Sequence, residues 1–525
     1  MRVRTLYRNG QVYVPTRGFP TALLVDGTRV LWVGNEAEAE AQAADAEVVV
    51  DLGGRLVTTP FVEPALFCAQ AGDLVGAVDL GAATSLADAL DRVAAAASSG
   101  TGPLVARDYD ESLWPELRAP TPDELARASG GRPALMIRAG LGAGVACAAL
   151  RALAHEHRPD SVTWPDELGP LQVDDLQQVV PRLRTPGEHR QQTLELLRLA
   201  AAHGIGAVHL HHGSESSVVE LRGAGDESVP LPVVKHYLDR VCTTGDEALA
   251  LVRDLGLQGC YVPVDGLVRL RRAALVDPYA DAPGYAGPGP LPAETIAEHM
   301  VVTSRVGVQS NLVAFGDRAA QELAAGLRVA VRQVGLDRFR GLRHRTLTQS
   351  VADPMVLGTL IDLAVSVARV PQVDTYLGAP DGVLARRLGP SRVQDYVRLA
   401  SLVTDGLDLH LTSSAPETPL DPWGTVRAAR WHRSPEERLS VGEAFRAHTR
   451  AGWSAVAEDW RGQLDVGLPA DLVVWDLDPD QLLQHQQERL HTPGLPLLAP
   501  GTDNPTAVLT VVGGRIIHST EGALS

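Results

Sequence analysis

The chain has 525 residues, 45% of them hydrophobic, and a formal net charge of −17. Its length holds a barrel-sized core with a smaller second domain, and acidic residues spread along it argue against nucleic acid or an anionic membrane as partner. No run of about 18 apolar residues is free of charges and breakers, so no membrane span is expected, and the basic start has no apolar core behind it, which makes a leader unexpected and the expected location cytoplasmic.

The first 58 or so residues read as short strands. Thr5–Val14 is expected to form a hairpin around Asn9-Gly10, and Ala22–Gly34 a second one turning at Asp26-Gly27. Glu47–Leu52 and Arg55–Val57 follow as strands. The long middle alternates helices with short apolar strands. Pro186–His203 is an amphipathic helix with Thr185 placed to cap it. Gly206–Leu210 is a buried strand, Val229–Tyr237 is strand-like, and Asp246–Leu255 is helical. Gly259–Val264 is extended, Glu294–Val302 helical, Val306–Phe315 extended and Ala319–Gly335 helical. Asp281–Pro292, rich in Pro and Gly, is expected to loop over one barrel face. Near the far end, Asp471–Asp476 and Ala507–His518 return to strand and hairpin text.

The β–α alternation fits an α/β fold whose parallel sheet closes into a (β/α)8 barrel. The two strand-rich ends fit one small β-sandwich. The expected division is a composite sandwich of 1–58 and 456–525 around a barrel of 59–455, with an insert around 100–175.

Four cysteines, Cys68, Cys147, Cys242 and Cys260, include no CxxC pair, so neither a zinc site nor a disulfide framework is indicated and buried free thiols are expected. Lys235 is the single lysine.

Several strings match a known family in order. They are Asp110-Glu-Ser-Leu-Trp-Pro-Glu-Leu-Arg-Ala-Pro-Thr121, Asp265-Gly266 with Arg271 and Ala273–Pro283, Phe315-Gly-Asp-Arg-Ala319, Ser414-Ala-Pro-Glu-Thr-Pro-Leu-Asp-Pro422, and Gly462–Asp476. The layout, from about residue 5 to residue 518, resembles the amidohydrolase superfamily in its type-three branch, which includes N-substituted formamide deformylases. The resemblance implies hydrolysis of non-peptide C–N bonds by metal-activated water, and a homodimer. A divalent metal lowers the pKa of its water and polarises the carbonyl, which needs His nitrogens and carboxylates at the C-terminal ends of barrel strands.

The residues at the family's ligand positions lack those donors. Phe61-Val-Glu-Pro-Ala-Leu-Phe-Cys68 carries Ala65 and Phe67 at the two histidine positions of the first strand. The position of the bridging lysine is Tyr261, and the later histidine positions are Val313 and Thr348. The late aspartate is Ser414; a histidine and an asparagine of the insert become Leu141 and Ala146. Carbon side chains offer no lone pair, and hydroxyls are poor zinc ligands.

Two readings follow. In the leading one the chain is a homologue that has lost the family's metal hydrolysis, needs no cofactor, and binds a small-molecule ligand or an active paralogue. In the rival it is a working C–N hydrolase, with a divalent metal such as zinc relocated to His209 and His211 of Val208-His-Leu-His-His-Gly213, a third ligand from His236, His344 or Asp265, or a metal-free site. Glu63, His209, His211, Asp265, Arg271, Asp317 and His344 are the candidates for a barrel-mouth pocket. Against this, Asp317-Arg318 is expected to brace a helix start and Asp265-Gly266 to form a turn. Lys235 is either a buried amine or, more simply, a strand-end charge. Ser413 and Ser414 lie near His410 but have no Gly-x-Ser-x-Gly elbow. His155 and His157 fall in a charged helical stretch, expected to face solvent.

Overall fold

A computed structural model describes residues 3–18, 20–139, 143–157, 165–223, 230–478, 481 and 494–520; Leu141 lies outside them. They fall into two compact units, Met1–Leu66 with Leu197–Glu215 and Gly225–Ser525, and Phe67–Leu196 with Ser216–Ala224.

The first unit holds a barrel of eight strands, β1 (Phe61–Phe67), β2 (Ile205–His212), β3 (Val233–Asp239), β4 (Gly259–Pro263), β5 (Gln309–Ala314), β6 (Arg345–Thr348), β7 (Ser366–Arg369) and β8 (Leu409–Leu411). They form one sheet in chain order from β1 to β8, and the registered pairs from β2 to β8 are all parallel. The Thr412 hydroxyl, donating to the Ala65 carbonyl at 3.3 Å, joins the end of β8 to β1. Every residue of β2 is buried, as expected of a parallel strand covered on both faces.

Helices cover the barrel through apolar stripes. The helix Asp317–Val334 buries Ala319, Ala320, Leu323, Ala324, Leu327 and Ala330, a 3.6-residue period. This stripe packs with Ile296 and Met300 of Ala293–Val306, with Phe339, and with Val356 and Leu360 of the next helix. Gly316, the N-cap, has to be glycine, because a Cβ there would lie 2.0 Å from the Ala274 carbonyl oxygen.

Two further sheets of the first unit flank the barrel's chain segments. One has the order Arg29–Gly34, Ala22–Asp26, Arg4–Arg8, Val48–Asp51; the other runs Gln11–Val12, Leu56–Thr58, Leu472–Asp476, Thr506–Val512, Arg515–Ser519. Val57 pairs with Val474, so the two ends of the chain share one sheet and one apolar core. The hairpins at Asp26-Gly27 and Gly513-Gly514 form as the sequence implies.

Thr5–Val14 does not form a hairpin. Arg4–Arg8 pairs with Ala22–Asp26 and Val48–Asp51, whereas Gln11–Val12 belongs to the other sheet and pairs with Leu56–Thr58. Asn9, at φ 58°, turns the chain from one sheet to the other, and Gly10 lies so close to Leu52 that a Cβ would be 2.4 Å from its Cδ1. Burying Leu6 in one sheet and Val12 in the other outweighs the local turn signal.

The second unit has its own core and a four-stranded sheet ordered Gly144–Ala146, Ala134–Arg138, Leu104–Tyr109, Val78–Asp79. Running from Phe67 to Leu196, it takes in more chain than the insert expected around 100–175. Ala146 ends one of its strands, and His155 and His157 lie on its helix Ala148–His157, His155 exposed. Among the described residues, no helix is long and apolar enough to cross a membrane.

Candidate functional site

Parallel register decides which side chains share the barrel interior. It sets His209 beside Lys235, His211 beside Tyr237, Tyr261 beside Asn311, and Asn311 beside Arg345. At the centre lies Arg345, 1% exposed. Its guanidinium donates to His209 Nδ1 and to the Pro64 carbonyl, both at 2.5 Å, and stands 4.7 Å over the Tyr237 ring. Among the described residues, no carboxylate pairs with it. Burial lowers the Arg345 pKa, and these neutral partners offset the desolvation of its charge.

Burial first, and Arg345 second, push His209 and His211 far below the usual histidine range, so both imidazoles are neutral. A neutral imidazole has one nitrogen lone pair to give. At His209 that lone pair accepts from Arg345. At His211 the Nε2 lone pair accepts from the Asn311 amide at 2.9 Å, with the ring 4.8 Å from Tyr261. In this arrangement neither imidazole offers a nitrogen to a metal.

The three candidate third ligands stand elsewhere. His236 lies on the opposite face of β3 from Lys235 and Tyr237, and its Nδ1 meets His212 Nε2 at 3.0 Å. His344 holds Ser304 Oγ through Nε2 and accepts from the Ser310 N–H through Nδ1, both at 3.0 Å, against Phe339. The Asp265 carboxylate accepts the N–H groups of Phe315, Ala274 and Gly316 at 2.7–2.8 Å. Burial raises its pKa to about 7 against the pull of those donors. Among the described residues, no three His, Cys, Asp or Glu are grouped to hold a metal ion.

Two more candidates brace the loops after the strands rather than line a pocket. Asp317 accepts the N–H of Val276 at 2.8 Å and of Arg318 at 2.9 Å, and Arg271 pairs with Asp281, which Arg387 also holds. Lys235 forms an ion pair with Glu458. Of the pocket candidates, the structure brings only Glu63, His209 and His211 into the barrel interior.

The positions compared with the family's ligands are packed. Ala65, Tyr261, Val313, Thr348 and Ser414 are buried, and Phe67 is half-buried at the end of β1. Glu63 accepts from Ser413 Oγ at 2.8 Å, Ser413 N–H at 3.1 Å and the Thr412 hydroxyl. Burial raises the Glu63 pKa and these donors oppose the rise. Ser413 therefore gives its proton to a carboxylate that is already satisfied. Ser414, at φ 51°, donates its N–H to Thr412. His410 is held neutral by burial and by Arg345. A donor set of methyl, isopropyl, phenyl, phenol and two hydroxyls does not fit a divalent cation.

Sequence reasoning missed Arg345, Asn311 and Tyr237, which organise the interior. Their only sequence signal is polarity within short apolar strands; the register that joins them is not local.

The barrel with a sandwich shared by both chain ends defines the class as an α/β barrel with an added β domain. Residues 48–518 match the model of the amidohydrolase family, and the chain belongs to that family. No curated protein matches the chain significantly. Among solved structures it is similar to an uncharacterized metal-dependent hydrolase from Pyrococcus furiosus, with 22% identity, TM-score 0.71, and coverage of 91% of this chain and 99% of that one. A counterpart from Pyrococcus horikoshii OT3 has 20% identity and TM-score 0.71, covering 91% and 98%. Ochratoxinase from A. niger has 10% identity and TM-score 0.56, covering 99% and 97%. At these identities the likeness is one of fold.

Proposed function

We propose that this chain is an amidohydrolase of the N-substituted formamide deformylase-like branch that has given up metal-dependent C–N hydrolysis and acts by binding, to a small molecule or to an active paralogue. One observation carries the reading: the two inward histidines spend their lone pairs on Arg345 and Asn311, while the positions matching the family's ligands hold packed side chains without suitable donors. Water there would have no cation to lower its pKa. Arg345 adds a positive charge beside His209 and His211, which opposes a second cation.

Metal analysis tests this. Protein produced in medium supplemented with zinc and manganese, then passed through a desalting column, is expected to carry well under one equivalent of either metal. Stoichiometric metal that disappears in His209→Ala, together with turnover of an N-substituted formamide that depends on it, would establish the relocated site instead.

A further inference from the structure

Cys242 and Cys260 lie 18 residues apart in sequence, yet their sulfurs are 3.6 Å apart. Cys260 is the second residue of β4, paired in register with Leu238 of β3, and the chain returns past it at Cys242. Both thiols are buried and free. Cys242 and Cys260 are each 0% exposed, but the two residues that follow Cys242, Thr243 and Thr244, are exposed. Thr244 caps the helix Gly245–Leu255, so Cys242 sits two residues before a helix N-terminus, where positive backbone dipoles favour an anion.

His299 does not make this a metal site. Its Nδ1 accepts the Cys242 N–H at 3.0 Å and its Nε2 meets Ser310 Oγ at 3.1 Å, so both ring nitrogens are committed. What remains is two sulfurs in contact. A disulfide bond is ~2.05 Å long, so thiol rotation must close roughly 1.5 Å. The contact between the two thiols lowers the Cys242 pKa, with burial opposing and the His299 hydrogen bond assisting, and the same contact together with burial raises that of Cys260. The cysteine better able to be a thiolate is thus the one followed directly by exposed residues.

We propose that Cys242 and Cys260 form a dithiol that hydrogen peroxide oxidises to a disulfide, with Cys242 as the attacking thiol and Cys260 as the resolving one. The Cys242 thiolate attacks a peroxide oxygen; the O–O bond breaks, and hydroxide leaves to take a proton as water. Cys242 is then a sulfenic acid. The Cys260 sulfur attacks the Cys242 sulfur, the S–O bond breaks, and a second water leaves with the Cys260 proton. Overall the two thiols lose two electrons and two protons, and one peroxide becomes two waters. The other two cysteines are internal controls. Burial raises the Cys68 pKa to about 12, and the buried Cys147 thiol donates to the Arg132 carbonyl at 3.5 Å.

The full folded chain is titrated with hydrogen peroxide, its remaining thiols are alkylated in denaturant without reductant, and peptides are mapped by mass spectrometry. The expected product is a Cys242–Cys260 cross-linked peptide, reversed by dithiothreitol, with Cys68 and Cys147 still alkylated. In Cys260→Ser, dimedone is expected to trap a sulfenic acid at Cys242. Four alkylatable thiols persisting at peroxide levels that consume free cysteine would overturn the proposal, as would preferential oxidation of Cys68 or Cys147. A Cys260→Ser chain that stays folded but yields no Cys242 adduct would overturn the assigned order. The wild-type measurement stands alone if that variant does not fold.

Discussion

Arg345 sits in the barrel with no counter-ion among the described residues, held by an imidazole nitrogen, a carbonyl and an aromatic face. Arg345→Met keeps the length of the stem but leaves His209 Nδ1 and the Pro64 oxygen without a donor. Each unsatisfied buried acceptor costs about 1–3 kcal/mol, so urea denaturation is expected to show a loss of about 2–6 kcal/mol. A gain in stability would mean that the guanidinium is a net cost. The buried histidines make a second prediction. Burial, the largest cause for each, holds His209, His211 and His410 far below the ordinary value and His212, His344 and His448 at about 3. Unfolded, they titrate near 6.5. Below that pH the unfolded chain takes up protons that the folded one refuses. Stability therefore falls with falling pH, by ~1.4 kcal/mol per unit for each histidine. Glu63 and Asp265 run the other way. Their raised pKa values add stability at low pH that is lost as pH rises, through about 7 for Asp265. The histidines outnumber them, so urea midpoints are expected to drop steeply from pH 6.5 to 4.5. A flat profile would mean the imidazoles are not buried neutral.

Among the elements, the helices and most strands were legible because their signals are local. Thr185 caps the helix the sequence assigns to it, and the bounds of Asp317–Val334 follow its apolar stripe. The loop from Asp265 to Leu291 depends on contacts the sequence does not advertise. Asp265 gathers N–H groups from its own loop and from the turn after β5, 50 residues away. In Asp265→Asn one acceptor oxygen becomes an amide NH2, a donor, so at least one of those N–H groups loses its partner. The expected result is a loss of about 1–3 kcal/mol, with faster limited proteolysis between residues 265 and 291. Proteolysis unchanged from wild type would show that the carboxylate does not staple the loop.

For the molecule as a whole, closure by both ends is the governing feature. Leu56–Thr58 is sandwiched between Gln11–Val12 and Leu472–Asp476, and the Trp475 indole donates to Thr58 Oγ1 at 2.8 Å. A chain truncated after Val456 loses Leu472, Val474, Val508, Leu509 and Val511 from that core. It also loses Glu458 and Asp459, the partners of Lys235 and Arg343. The truncated chain is expected to aggregate, with little soluble product and no cooperative thermal transition by circular dichroism. A soluble, cooperatively melting product would show that the barrel is stable without its sandwich.

Residue order alone determined the α/β alternation, the strand-rich ends, the helix caps and the absence of donors at positions such as Ala65 and Val313. These follow from periodicity, turn chemistry and side-chain identity, which act over a few residues. Only the tertiary structure decided that Asn9-Gly10 crosses between sheets, that His209 meets Arg345 across 136 residues, that His344 and His236 face away from the interior, and that Cys242 touches Cys260. Each of these depends on strand register and on which face is buried, and a one-residue shift in register exchanges the two faces of a strand. That choice is made by the packing of the whole barrel, so no short stretch of the chain contains it.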